Sequence, residues 1–281
     1  MRVFILTLLA MIAFAGNSLL CRLALKRTTI DAASFTFIRI LSGAIALWLI
    51  VIIRKTTSQK AGSWASALAL FVYAAAFSFA YLSLSAGTGA LLLFGAVQAT
   101  MTIWGLCQGE GLRTRQWLGL ALAVAGLVAL LSPGLSAPPI NGALLMLCAG
   151  IAWGFYSLRG KGTGDPVTTT AGNFLRAVAF ASVLSMALLP WIKLDRAGVG
   201  YAILSGAIAS AVGYVIWYSA LPGLKAASAA TVQLSVPVLA ATGGISFLGE
   251  SITLRFLLAS MAVLGGIALV VTDNTQIVPP D

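Results

Sequence analysis

The chain has 281 residues, 60% of them apolar and 9% charged, with a mean hydropathy of +1.01. Soluble domains are roughly 45–50% apolar and about a quarter charged, so an ordinary soluble fold is excluded. Seventeen Lys and Arg against seven Asp and Glu give +10. These charges are scattered singly along short loops, which argues against a nucleic-acid partner and fits the imprint of membrane insertion.

A helix that crosses a bilayer takes about 20 apolar residues. Ten such runs, broken by Gly, Pro and charge, fill the sequence. Span 1 (3–25) carries Asn17 near mid-membrane. Its Ala13-Phe14-Ala15 has the shape of a signal cleavage site, but the apolar run continues to Leu20 and the segment reads as a retained helix. Span 2 (32–53) places Arg39 inside its first half, where a charge either snorkels to the interface or braces the fold. Span 3 (63–84) has Tyr73, Phe77 and Tyr81 at helical spacing, and span 4 (88–109) has Gln98 and Thr102 at i, i+4. Glu110 then leads into span 5 (115–132), whose Gly119 and Gly126 suit close helix contact.

Span 6 (139–158) crowds Trp153, Phe155 and Tyr156. Gly162-Thr163-Gly164-Asp165 after it spells the motif of intramembrane aspartyl proteases, but that chemistry needs two acids sharing a site, and no second acid lies within a span. Asp165-Pro166 reads as a helix cap followed by Pro at the first position of span 7 (168–190), which contains Arg176. Span 8 (198–220) carries Tyr214, Trp217 and Tyr218. In span 9 (225–248), Pro237 cannot donate to the carbonyl of Gln233, so a kink and a free acceptor are expected at membrane depth. Glu250 precedes span 10 (252–272), with Gly265-Gly266. Loops on the side of the N-terminus hold nine Lys and Arg and the others five, which favours both termini in the cytoplasm.

The chain is similar to itself across its midpoint. Gly109-Glu110-Gly111-Leu112 answers Gly249-Glu250-Ser251-Ile252, Arg39 pairs with Arg176, and Tyr81-Leu82-Ser83-Leu84 with Tyr218-Ser219-Ala220-Leu221. Five spans per copy is an odd number, so the second copy enters the membrane from the opposite face. The expected organisation is residues 1–135 and 136–274 as two inverted five-helix repeats, with 275–281 as a tail.

Gly213-Tyr214-Val215-Ile216-Trp217-Tyr218-Ser219-Ala220-Leu221, Ala226-Ala227-Ser228-Ala229-Ala230, Pro237 and Gly249-Glu250 resemble the EamA repeat of the drug/metabolite transporter superfamily. The resemblance covers the chain twice, and the whole looks most similar to YddG-type exporters. The first copy departs from the pattern, with Val97 where the second has Pro237. What the resemblance implies is an all-α exporter of the bacterial inner membrane, with spans 1, 3, 4, 6, 8 and 9 around a central cavity and spans 5 and 10 outside. It also implies amino-acid substrates, aromatic and other apolar ones, moved by alternating access.

The residues themselves leave two readings open. Asn17, Gln98, Thr102 and Gln233 are either interhelical glue or cavity lining; Phe77, Tyr81, Trp153, Tyr156, Tyr214 and Tyr218 are either packing or a substrate surface. Glu110 and Glu250 read as helix-dipole partners, with Ser251 as a cap, ahead of a gating role; Arg39 and Arg176 read as braces or snorkels ahead of substrate contact. There is no His, and every acid lies at a loop or span end. No metal or cofactor is expected, and transport without obligatory proton coupling is. The partners expected are a small-molecule substrate and the lipid bilayer, and the sequence leaves the oligomeric state open. An exporter of another metabolite or drug, and a channel, remain as alternatives.

Overall fold

The structure is a computed structural model that describes residues 2–55, 62–109, 111–134, 137–160, 165–224 and 232–272. Several of its helices start where short polar side chains can take up the free amides of a first turn. Asp31 accepts from Ser34 N ahead of α2 (Ala32–Ile53), Ser63 from Ser66 N ahead of α3 (Trp64–Ala80), and Ser85 from Thr88 N ahead of α4 (Ala86–Cys107). Asp165 does the same for α7 (Pro166–Ala187), with Pro166 at the first helical position as expected, and Asp195 for α8 (Arg196–Ala220). The remaining helices are α1 (Arg2–Arg27), α5 (Thr114–Leu131), α6 (Ile140–Gly160), α9 (Ser235–Leu248) and α10 (Leu254–Thr272).

These ten helices coincide with the ten apolar runs, and the described residues contain no strand. Eight are long and apolar enough to cross a bilayer by themselves, while α3 and α9 have 17 and 14 residues. Span 3 ends at Ala80 instead of residue 84, because Tyr81 to Ser83 close a tight turn that delivers Ser85 as the next cap. Span 9 is interrupted by a turn at Leu234, and its first residues, 225–231, lie outside the described residues. Pro237 therefore sits in the first turn of α9, where a missing N–H leaves no broken bond, and not at the mid-helix kink expected of it.

The packing interleaves early and late helices. α1 lies against α8 and α9, α2 against α7 and α8, and α3 and α4 against α6. α5 and α10 pair with each other at the side, where a Cβ on Gly119 would strike the Gly266 carbonyl and one on Gly126 would strike Ala262 and Val263. Leu, Ile, Val and Trp side chains are exposed over the outer faces, including Trp48, Trp64, Trp117 and Trp191. In water such a surface would aggregate; lipid solvates it.

On the face opposite the start of α1, two loops are clasped together. Asp31 Oδ2 accepts from Lys193 N at 2.8 Å, Oδ1 accepts from Ser34 N at 2.8 Å, and Asp31 N donates to Lys193 O at 3.1 Å. Burial alone would raise the Asp31 carboxyl, but the amides of Ser34 and Lys193 outweigh it and hold the group below its ordinary value. A depressed carboxyl stabilises the fold above its unfolded pKa and loses that contribution as pH falls through the folded value. Asp31→Asn should therefore melt below the wild type at pH 7, by less than about 1 kcal/mol because solvent screens the site. The difference should close below the ordinary carboxylate range, read by thermal unfolding in detergent; a gap that persists in acid would contradict it.

Candidate functional site: a central aromatic cavity

The middle of the bundle is held by a chain of hydrogen bonds across four helices. Ser205 Oγ in α8 donates to Asn17 Oδ1 in α1 at 2.6 Å, and Asn17 Nδ2 donates to the Tyr73 hydroxyl in α3 at 3.3 Å. Arg39 Nη2 in α2 donates to that hydroxyl at 3.1 Å. Hydrocarbon supplies no partners, so a polar group at this depth must find one inside the protein. The local sequence of α8 makes the approach possible. Residues Leu204–Val212 form a π-helical segment that widens the helix, and Gly206 lets it touch the α2 backbone, where a Cβ would strike the Arg39 carbonyl.

Arg39 is 2% exposed, so it does not snorkel; it braces α2 against α3. Its guanidinium carbon lies 5.2 Å from the centre of the Tyr73 ring and 4.9 Å from that of Phe77, within cation–π range.

Beside this chain lies a cavity of about 30 Å³, room for about one water. Phe14, Asn17 and Ser18 of α1 line it, with Tyr73 and Phe77 of α3, Leu93 and Phe94 of α4, and Trp153 of α6. Ala209, Ser210 and Tyr214 of α8 and Gln233 before α9 complete it. The rings form a nearly continuous wall: centroids are 4.7 Å apart for Tyr73 and Trp153, 5.2 Å for Trp153 and Tyr214, and 5.9 Å for Tyr214 and Phe14.

Of the ten residues expected at a cavity, the structure brings together Asn17, Phe77, Trp153, Tyr214 and Gln233. Gln98 and Thr102 lie elsewhere, in a separate apolar pocket between α4, α5 and α10. Tyr81 is fully buried at the end of α3, its hydroxyl donating to Ala86 O at 3.2 Å. Tyr156 is buried behind Trp153, at 5.4 Å, and Tyr218 lies one turn beyond Tyr214; neither lines the cavity. Sequence reasoning missed Phe14, Ser18, Leu93, Phe94, Ala209 and Ser210, and left Tyr73 out of its deep aromatics. Tyr73 had a signal: a hydroxyl midway along one span and a guanidinium within the next call for each other.

The expected cap at Ser251 and the expected role of Glu250 at the dipole of its own helix are corrected. Thr253 Oγ1 accepts from Phe256 N at the start of α10, while Glu250 Oε2 accepts from Ala86 N at 2.8 Å and so serves the N-terminus of α4. Its Oε1 pairs with Arg22 Nε at 3.0 Å, and Arg22 Nη1 donates to Tyr81 O at 2.8 Å. This ion pair ties α1 to the α3–α4 and α9–α10 connections, next to a pocket of about 190 Å³. Arg176, the counterpart of Arg39 in the sequence comparison, is half-buried and donates to Gly172 O of its own helix at 2.8 Å. Glu110 lies outside the described residues.

Fold and cavity together define a multi-pass, all-helical membrane protein with an aromatic chamber in the bundle core. The chain belongs to the EamA-like transporter family, of the drug/metabolite transporter superfamily, whose pattern it matches twice, over residues 1–132 and 140–272. It is 59% identical to the uncharacterized protein PA1977 of Pseudomonas aeruginosa, over 97% of this chain and 96% of that one. It is 32% identical to the threonine/homoserine exporter RhtA of Salmonella typhimurium over 59% of this chain and 58% of RhtA. A solved crystal structure of a protein shares the fold at 16% identity, with a TM-score of 0.67 over 94% of this chain and 97% of that one.

Tyr73→Phe would orphan two buried donors, Asn17 Nδ2 and Arg39 Nη2. A buried donor left without a partner costs about 1–3 kcal/mol, so the variant should melt several degrees below the wild type in detergent. An unchanged melting temperature would show that the hydroxyl carries no such load.

Proposed function

We propose that the chain exports amino acids, aromatic and other apolar ones among them, by alternating access, and that it does so without obligatory proton coupling. The observation that carries this reading is the chamber itself: Phe14, Tyr73, Phe77, Trp153 and Tyr214 around the uncharged polar groups of Asn17, Ser18, Ser210 and Gln233. Aromatic walls accept varied apolar side chains with weak discrimination, since one methylene is worth about 1–3 kcal/mol. A relative named as a threonine/homoserine exporter supports an amino-acid substrate.

The proposed architecture is two inverted five-helix repeats, as the odd number of spans per copy suggests, in a cytoplasmic membrane with both termini inside. A chamber of about 30 Å³ is far smaller than an amino acid, so the described state is closed and the helices part to load it. Proton-coupled carriers place acids or His at membrane depth. Among the described residues Asp31, Asp165, Asp195 and Glu250 all lie at helix ends, and the chain has no His.

Counterflow in proteoliposomes tests the reading, with labelled phenylalanine, leucine and threonine against an unlabelled panel. Exchange of several amino acids, indifferent to an imposed pH gradient, is the expected result. No exchange by folded protein would overturn the substrate class and turn the search to other metabolites or drugs. Exchange that requires the gradient would overturn the uncoupled mechanism. Flux with no stimulation from the opposite side would indicate a channel.

A further inference from the structure

We propose that Arg39 is the receptor for the substrate's carboxylate. The inference deepens the reading of the chain as an amino-acid carrier and rests on it. A charge buried in a bilayer is costly by several kcal/mol unless paired, and Arg39 is buried without an acid in reach. The groups that share its electrostatic environment are Tyr73, Tyr214 and Cys21, none of them a carboxylate. Arg22 has Glu250, but for Arg39 no counter-ion exists among the described residues.

Its hydrogen bonding is also incomplete. Nη2 donates to Tyr73, whereas Nη1, equally buried, has no acceptor among the described residues. A guanidinium only donates and stays charged in proteins, so the orphan calls for an acceptor that the described residues do not supply and an incoming ligand can bring. The Tyr73 hydroxyl accepts from both Asn17 and Arg39, and its own proton finds no acceptor among the described residues. Two unused donors therefore lie side by side, one on Arg39 and one on Tyr73.

Tyr73 lines the chamber, and Arg39 lies against its wall. The two rings against which the guanidinium stacks, Tyr73 and Phe77, line the cavity, so the charge sits directly behind its wall. When the helices part to admit a substrate, its carboxylate takes Nη1 of Arg39 and the hydroxyl of Tyr73. The pairing is charge-assisted. It supplies the missing counter-ion, and the side chain is left among Phe14, Trp153 and Tyr214. Recognition of this kind selects acids over amines and over neutral amides. It does not depend on pH near neutrality, because the guanidinium does not titrate there.

The test uses the purified full chain and four ligands of one shape: phenylalanine, 3-phenylpropanoate, phenylalaninamide and 2-phenylethylamine. In thermal-shift assays on the wild type, the two carboxylates should stabilise the protein and the amide and amine should not. In counterflow, Arg39→Gln should weaken competition by phenylalanine about tenfold or more, the loss expected for a hydrogen bond to a charged group. Arg39→Lys, which keeps the charge without the fork, should fall between the two. Equal stabilisation of the wild type by acid and amide would overturn the proposal even if every variant failed to fold. So would an Arg39→Gln protein that binds phenylalanine as the wild type does. Stabilisation by phenylpropanoate without phenylalanine would sink the amino-acid reading and leave Arg39 as a carboxylate receptor. Stabilisation by the amine alone would sink both.

Discussion

Ser205, Asn17, Tyr73 and Arg39 form the hydrogen-bonded chain on which the rest of the bundle depends. Each brings a polar group to a depth where the solvent offers nothing, and each bonds to the next. The chain links α8 to α1, α1 to α3 and α3 to α2, so it joins helices from both segments that match the family pattern. Local irregularities serve it. The π-helical segment brings Ser205 to Asn17, and Gly206 removes the Cβ that would hold α8 away from α2. The aromatic wall then follows from the same placement, because Tyr73 stacks on Trp153, and Trp153 on Tyr214.

The chain ends in an imbalance. Three of its members are neutral, and the fourth carries a charge with an unused donor. Two acids serve helix ends elsewhere: Asp31 clasps the loop before α8, and Glu250 neutralises Arg22 while capping α4. Among the described residues the acids lie where they cap and seal, and the charge beside the chamber, Arg39, is left without a counter-ion. That contrast is the physical basis of the proposal that the centre of the bundle recognises the ligand and its ends seal it.

The ten helices were legible in the sequence because their signals are local: hydropathy long enough to cross a bilayer, with Asp165-Pro166 marking the start of α7. Which face of a helix turns inward was less legible. Gln98 and Thr102 share one face of α4, but the pairing of α5 with α10 covers that face, and no local feature of span 4 announces it. Tyr81 read as a deep aromatic because span 3 was expected to run to residue 84; the helix ends one residue before it. Glu250 read as a dipole partner for its own helix, while its actual partners, Arg22 and Ala86 N, are 228 and 164 residues away. Long-range partners set these roles, and spacing along the chain does not encode them. The Arg39–Tyr73 contact is intermediate: two polar groups midway along neighbouring spans predict each other once hydrocarbon is taken as the solvent.

Alternating access requires one chamber that opens to each side in turn. Ser210 lines it with a small side chain, so a single Cys there, with Cys21, Cys107 and Cys148 replaced by Ala, reports access directly. Membrane-impermeant thiol reagents applied from each side separately should label position 210 from both, and saturating substrate should protect it from both. Labelling from one side only, or labelling that substrate does not slow, would contradict a central, alternately exposed binding chamber.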